Sequence, residues 1–185
     1  MLIKEILMEF KFYVKSRLRF SKPLDTKPCA FNNCPLLVTI GLPYCPQHMR
    51  TECRLELRPS TVPGAGLGLF AVGQGFQPGE FIAQYTGDII DKRELERRYG
   101  KYTAPYAILL KKNVCIDSAT HRSIASLVNH RPVSLVNSRF KWLYMRNPQG
   151  IELCATKRIQ NGEEIFVNYG PNYRLHEKNS SYTTS

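Results

Sequence analysis

The feature that most restricts the fold of this 185-residue chain is a series of short apolar runs separated by turns, which begins after Arg54. The runs are rich in β-branched and aromatic residues, as β-strands are. They are "GLGLFAV", "EFIAQYTGDII", "NVCID", "RFKWLYM", "IELCATKRI" and "EIFVNY". One helix interrupts them, with Asp91 as N-cap, Glu94 as its capping-box partner and Gly100 at its end. This pattern predicts a mainly β (α+β) domain over residues 54–173.

Residues 1–28 have a different period, because their apolar side chains recur at helical spacing and basic residues occupy the rest of the wheel. The apolar positions are Ile3, Ile6, Leu7, Phe10, Val14 and Leu18. We predict a basic amphipathic helix followed by a linker, "SKPLDTKP". The helix could pack on its own domain, lie on a membrane surface or bind a partner. Residues 174–185, rich in serine and threonine, are predicted to be disordered.

Residues 29–53 contain a cysteine and histidine pattern typical of a small zinc module. Cys29 and Cys34 form a C-x4-C pair, and Cys45 and His48 form a C-x-x-H pair further along. Zn²⁺ prefers four such ligands in a tetrahedron, and two short turns that face each other supply them. The segment has too few apolar residues to fold alone, so a structural metal would act as its core. Unrelated cysteines beside a surface histidine are the alternative.

Charge and composition limit the function classes. Hydrophobic residues make up 43% and charged residues 22%, as in globular proteins. No apolar run approaches the roughly 20 residues that span a bilayer, and the first residues lack a secretory pattern, so we expect an intracellular protein. The formal charge is +11, and residues 54–185 hold eighteen Lys and Arg against eleven Asp and Glu. A basic domain favours nucleic acid or nucleoprotein as a neighbour, with a merely soluble basic protein as the alternative.

Four short motifs follow one another in the predicted β domain. "GAGLGLFA" contains a G-x-G turn, which lets backbone amides approach a ligand. "YTGDII" begins at Tyr85, "VNH" contains Asn129 and His130, and "GEEIFVNYG" closes just after Tyr169. Each motif alone also fits a structural role, such as a tight turn, a core tyrosine or a capping asparagine. The order and spacing of the four are more specific than any one of them.

In this order the motifs resemble those of the SET domain of protein lysine methyltransferases, over residues 55–173. The resemblance implies small curved β-sheets and a closing segment that threads beneath an earlier loop, a C-terminal pseudoknot. It also implies S-adenosylmethionine as cofactor, a lysine-containing protein (histone or non-histone) as substrate, and Tyr169 as the catalytic residue. The implied cofactor-binding residues are Ala65, Gly66, Leu67, Gly68, Asn129, His130 and Tyr169, and the implied substrate-channel residues are Tyr85, Tyr106 and Val167.

The chemistry of lysine methylation fits such a site. Displacement at a sulfonium needs a neutral amine, yet a free lysine with a pKa near 10.4 is neutral in only about one molecule in two to three thousand at pH 7. A neighbouring sulfonium and a dry channel both lower that pKa. A narrow aromatic channel also aligns the nitrogen with the methyl group. The reaction therefore needs tyrosines and carbonyls that orient the reactants, and no strong base.

Some positions depart from the usual SET pattern. Two extra residues precede Asn137, and Arg131 stands where a small serine is expected, so we expect a longer loop that still delivers Asn137. Asn168 stands where aspartate is frequent. Val167 stands where many members have phenylalanine or tyrosine, which leaves the degree of methylation open. A non-catalytic SET-fold interaction module and a zinc-containing nucleic-acid binder are the alternative functions. Contact with nucleosomes through the basic surface, and a nuclear location in a eukaryote, would suit a chromatin enzyme.

Overall fold

The computed structural model describes residues 26–39, 42–100, 104–121, 123–144 and 150–170. The predicted N-terminal helix and the predicted disordered tail lie outside these ranges. Within them, neither helix has the length or the apolar character to cross a membrane.

The described residues form twelve short strands and two α-helices. The strands are β1 Thr26–Pro28, β2 Leu37–Thr39, β3 Leu55–Pro59, β4 Leu67–Ala71, β5 Phe81–Tyr85, β6 Asp88–Asp91, β7 Ala107–Lys111, β8 Val114–Asp117, β9 Asn129–His130, β10 Ser138–Trp142, β11 Ile151–Ala155 and β12 Phe166–Val167. The helices are α1 Pro46–Glu52 and α2 Lys92–Tyr99, with 3-10 turns at Ile124–Leu127 and Val133–Leu135.

The strands are arranged in five small sheets. Two have three strands, in the orders β10-β11-β5 and β6-β8-β7, and the others are the pairs β1-β2, β3-β4 and β9-β12. All neighbouring strands are antiparallel except β9 and β12, which are parallel. The fold is therefore mainly β with few helices, as the sequence predicts. Five strands lie outside the predicted runs. β1 lies in the segment predicted as a linker, β2 in the predicted zinc module, and β3, β7 and β9 in segments that were not assigned as strands.

Helix α2 begins and ends where its capping residues predict. The Asp91 carboxylate accepts a hydrogen bond from the Glu94 N–H at 2.7 Å, and Gly100 caps the other end with φ +68°. The Glu94 carboxylate binds two arginines of its own helix, at 2.6–2.8 Å. Arg98 and Tyr99 also reach the buried Asp117 on β8, at 2.8–3.0 Å. These bonds fix the exposed helix on the sheet that contains β8.

One main core lies between the sheets and includes a residue of α1. Its fully buried members come from strands spread over the chain and from the segments between them. They include Met49, Leu55, Leu69, Ala71, Phe76, Ala125, Ile151, Leu153, Ile159, Ile165 and Val167. A second, small cluster consists of Cys29, Val38 and Cys45. Because Met49 is 2% exposed and belongs to the main core, that core extends past Arg54 into the cysteine-containing segment.

The closing segment, residues 164–170, lies between the two ends of one earlier loop. On one side, β12 pairs in parallel with β9, and the Arg131 N–H donates to the Val167 carbonyl at 3.0 Å. On the other side, the Asn137 side chain accepts from the Phe166 N–H at 2.8 Å. The Ser138 hydroxyl donates to the Phe166 carbonyl at 2.8 Å. This arrangement is the expected pseudoknot, and we call the meeting of residues 129–138 with 164–170 the crossing.

Candidate active site and candidate metal centre

Tyr169 and His130 are brought together at the crossing. The Tyr169 N–H donates to Nδ1 of His130 at 3.0 Å, and the Tyr169 hydroxyl donates to the Val128 carbonyl at 2.5 Å. The two rings lie 5.3 Å apart with an interplanar angle of 45°. Since Nδ1 accepts a hydrogen bond, a neutral His130 carries its proton on Nε2. Tyr169 is fixed at both its backbone and its hydroxyl, yet remains 38% exposed, so a ligand can reach it.

Asn129 connects the crossing to the glycine-rich turn. Its side-chain amide donates to the Leu67 carbonyl at 3.0 Å, the Ser60 hydroxyl at 3.0 Å and the Glu164 carboxylate at 3.1 Å. Its backbone lies in β9, opposite Phe166 of β12. Asn129 and the turn before β4 therefore form one structure, although more than sixty residues separate them in the sequence.

The glycines of the turn have different physical roles. Gly64 and Gly66 have φ values of +72° and +77°, a conformation that side chains with a Cβ rarely adopt. At Gly64 a Cβ would meet open space, so its backbone is accessible to a ligand. Gly68 is buried, and a Cβ there would collide with the Glu164 carboxylate. The turn is held closed by the Ser60 N–H, which donates to the Gly66 carbonyl at 2.7 Å.

Glu164 belongs to this site and was not identified from the sequence. It is 5% exposed, and its carboxylate accepts hydrogen bonds from Ser60, Thr61 and Asn129. The sequence shows two adjacent glutamates after a turn, Glu163 and Glu164, and does not tell which one is buried. Strand alternation would have given the wrong answer, because the buried Ile165 and Val167 predict that Glu163, and not Glu164, faces inward.

The predicted channel residues occupy two places. The Tyr85 hydroxyl donates to the Tyr106 carbonyl at 2.7 Å, and the Tyr85 ring packs edge-on against Phe140 with centroids 5.5 Å apart. Tyr85 is 4% exposed, whereas Tyr106 is half-buried. Val167 is fully buried in the main core. The structure therefore joins Tyr85 to Tyr106 and places Val167 within the crossing, in β12 opposite His130.

The longer loop of the crossing still delivers Asn137. The Asn137 amide donates to the Glu164 carbonyl at 2.9 Å and accepts from the Phe166 N–H. Its side chain therefore makes the hydrogen bonds to the closing segment that a neighbouring strand would otherwise make. Arg131 lies with its guanidinium 5.2 Å from the centroid of the Phe166 ring, a cation–π contact. The Asn168 side chain accepts from the Gly170 N–H at 2.8 Å, which shapes the turn that follows Tyr169.

The four predicted zinc ligands form one cluster. The ligand atoms of Cys29, Cys34, Cys45 and His48 all lie within 4.8 Å of one another. Nδ1 of His48 is 3.4 Å from Sγ of Cys29 and 3.3 Å from Sγ of Cys45. A tetrahedron with Zn–S near 2.3 Å and Zn–N near 2.0 Å has N–S edges of about 3.5 Å and S–S edges of about 3.8 Å, so the donor set and the two N–S distances fit zinc.

The surroundings of the cluster favour a bound cation. Burial raises the pKa of Cys29, but hydrogen bonds from the backbone of Cys45 and Phe31 and from His48 outweigh it and lower that pKa to about 6. The Phe31 ring stacks on the His48 ring at 3.9 Å with an interplanar angle of 17°, which fixes the imidazole plane. Cys53 lies outside the cluster and packs against the main core.

Comparison with known proteins identifies the family. Residues 66–170 match the SET domain family, so the chain belongs to that family. It is 30% identical over 127 residues to the histone-lysine N-methyltransferase EZH2 of Chaetomium thermophilum, a match that covers 63% of this chain and 8% of that protein. It is 29% identical over 123 residues to the N-lysine methyltransferase KMT5A of Xenopus tropicalis, covering 62% of this chain and 36% of that protein.

Solved structures give the same result. A crystal structure of the Chaetomium thermophilum polycomb repressive complex 2 superposes with a TM-score of 0.56 at 30% identity, over 64% of this chain and 15% of that one. The same complex bound to S-adenosylmethionine, in an autoinhibited conformation, gives 0.55 at 30% identity over 68% of this chain and 17% of that one. This chain therefore spans only a small part of these relatives.

Proposed function

We propose that this protein is an S-adenosylmethionine-dependent protein lysine N-methyltransferase. The observation that carries the proposal is the crossing, where Tyr169, His130 and Asn129 meet the glycine-rich turn in a chain of the SET domain family. The relatives named above are lysine methyltransferases by their printed names, which supports the same reaction type here.

The cofactor site that we propose lies between the turn and the crossing. Ala65, Gly66 and Leu67 would offer backbone groups, while Asn129 and His130 would offer the groups of β9. The accessible backbone at Gly64 and the partly exposed Tyr169 leave room for a ligand there. Gly68 serves the site indirectly, because its missing side chain leaves space for Glu164. When bound, S-adenosylmethionine supplies an activated methyl group on a sulfonium.

The residues of this chain would orient the substrate lysine and favour its neutral form. The lysine nitrogen must lose a proton to water before it can accept the methyl group that the cofactor would supply. Tyr169, with its hydroxyl held by the Val128 carbonyl, would orient the reacting groups. Tyr85 and Tyr106 are proposed as channel walls, and the buried Val167 as a packing residue behind them. Exclusion of water from the channel lowers the pKa of the lysine.

We propose that residues 29–53 bind one structural Zn²⁺ through Cys29, Cys34, Cys45 and His48. The donor set is three cysteines and one histidine, which suits structural zinc, and Met49 of the same segment is part of the main core. We therefore divide the chain into an N-terminal segment 1–28, a zinc module 29–53, a SET domain 54–173 and a tail 174–185. The module is packed against the SET domain and not a separate unit.

The substrate class that we propose is a lysine-containing protein associated with chromatin. One solved relative is part of polycomb repressive complex 2, and one sequence relative is a histone-lysine N-methyltransferase by name. A net charge of +11 would repel a free lysine-rich tail but attract nucleosomal DNA beside it. A nuclear location and contact with the nucleosome through the basic surface follow from this proposal.

Cofactor binding and methyl transfer test the proposal together. Isothermal titration with S-adenosylmethionine is expected to show binding to one site. Transfer of a labelled methyl group to an array of histone and non-histone proteins is expected to label lysines. Tyr169→Phe should lower transfer tenfold or more, about 1.4 kcal/mol per decade, with cofactor binding kept, while the exposed Tyr144→Phe serves as control. Cofactor binding without transfer to any protein would instead support a non-catalytic SET-fold module.

A further inference from the structure

Glu164 accepts four hydrogen bonds from the two segments that border the proposed cofactor site. One carboxylate oxygen accepts from the Ser60 hydroxyl at 2.7 Å and from the Asn129 amide at 3.1 Å. The other oxygen accepts from the backbone N–H and the hydroxyl of Thr61, at 2.7 and 2.6 Å. The side chain is 5% exposed, whereas the neighbouring Glu163 is exposed. Glu164 therefore links two distant segments at a site closed to water.

The partners of Glu164 are all neutral donors. Among the described residues, no Lys, Arg or His forms an ion pair with its carboxylate. A carboxylate accepts at both oxygens, which is the pattern that four donors require. A glutamine in its place would have one oxygen and one NH₂ group. In one orientation the NH₂ group would face the backbone N–H of Thr61, and in the other it would face the side-chain NH₂ of Asn129, so two donors would meet in either case. The site therefore discriminates against the isosteric glutamine.

The segments that Glu164 joins are those that the cofactor would contact. Ser60 and Thr61 begin the turn that contains Gly66, and Asn129 lies in β9 beside His130. Gly68 leaves the space that the carboxylate fills. We propose that Glu164 is a positioning residue, which fixes Asn129 relative to the glycine-rich turn and so sets cofactor affinity. This inference rests on the proposed function.

The test compares Glu164→Gln with Glu163→Gln, an exposed neighbour whose carboxylate caps only the Gln160 N–H. Loss of a buried charge-assisted hydrogen bond should raise the KM for S-adenosylmethionine about tenfold or more. The kcat at saturating cofactor should change much less, and the KM for the protein substrate should be unchanged, because only binding of the cofactor is weakened. A purely structural defect would instead reduce the folded fraction and lower kcat without raising the cofactor KM.

A milder variant keeps the test decisive if Glu164→Gln does not fold. Thr61→Val removes one donor and leaves the carboxylate in place, and should raise the cofactor KM by about threefold with kcat kept. Folded Glu164→Gln or Thr61→Val with unaltered cofactor affinity would overturn the positioning role alone. Absence of cofactor binding by the unaltered protein would overturn both this role and the proposed function.

Discussion

The crossing and the Cys/His cluster each bring two segments of the chain together, but they are held together by different means. At the crossing, main-chain and side-chain hydrogen bonds join the two segments directly, through Asn137, Ser138 and the β9–β12 pair. In the cluster, three sulfurs and one nitrogen face one another, and among the described residues Val38 is the only fully apolar member of the surrounding small core.

This difference concerns what each region needs in order to fold. The hydrogen bonds of the crossing are complete within the chain, so the crossing can form before any ligand binds. The described residues around the cluster contribute little apolar area, so a bound metal would supply much of its folding energy. A ligand at the crossing would bind to a site that is already folded, whereas a metal at the cluster would drive the folding of its own site.

The largest effect is expected from Cys45→Ala, which removes a ligand that is 1% exposed. The variant should lose the proposed metal and several kcal/mol of unfolding free energy, with a melting temperature about 10 °C lower or more, because metal binding would contribute folding free energy to this segment. Metal analysis and thermal melting measure both. Cys53→Ser, close by but outside the cluster, should keep the metal. A Cys45→Ala protein with full metal content and unchanged melting would refute the zinc site.

Met49→Ala tests whether the cysteine-containing segment shares the main core with the rest of the chain. Its side chain is 2% exposed in the main core, so we expect a loss of about 3 kcal/mol of unfolding free energy while the metal stays bound. Gln47→Ala on the exposed side of the same helix should have little effect. Chemical denaturation measures the difference. Equal stability of the two variants would show that α1 does not support the main core.

Asn137→Ala tests the hydrogen bonds of the crossing without touching the metal. The change leaves the Phe166 N–H and the Glu164 carbonyl without their side-chain partner and should cost about 2 kcal/mol. Asn161→Ala, which removes one exposed bond to the Gly73 N–H, is the matched control and should cost much less. Urea midpoints compare the two. If both variants lose the same small amount, the crossing depends on packing more than on Asn137.

The smallest effect is expected from acid at an ion pair outside both regions. Burial raises the pKa of Asp88, but hydrogen bonds from Arg98 and His121 outweigh it, and the net pKa is lowered. The stabilisation is therefore complete above about pH 4 and is lost as the pH falls through the folded pKa; it should amount to less than about 1 kcal/mol. Urea midpoints between pH 6 and 3 should fall less steeply in Asp88→Asn. Identical pH dependence of the two urea midpoints would show that this ion pair does not contribute to the stability of the protein.

Local pattern made much of this fold predictable. Alternating and β-branched runs predicted most strands, and Asp91, Glu94 and Gly100 predicted both ends of α2, because capping depends on residues within one turn. The spacing of Cys29, Cys34, Cys45 and His48 predicted a cluster that the structure forms, since short turns fix which side chains can meet.

The amino-acid sequence by itself determined the class of the fold, the family motifs and the four candidate metal ligands, because each depends on neighbouring residues. Tertiary structure decided which of two adjacent glutamates is buried, why Gly68 must lack a side chain, and that Met49 joins the main core. Those outcomes depend on contacts such as that of Glu164 with Ser60, 104 residues away. No local spacing encodes such contacts, since burial is set by whatever segment happens to pack on the other side.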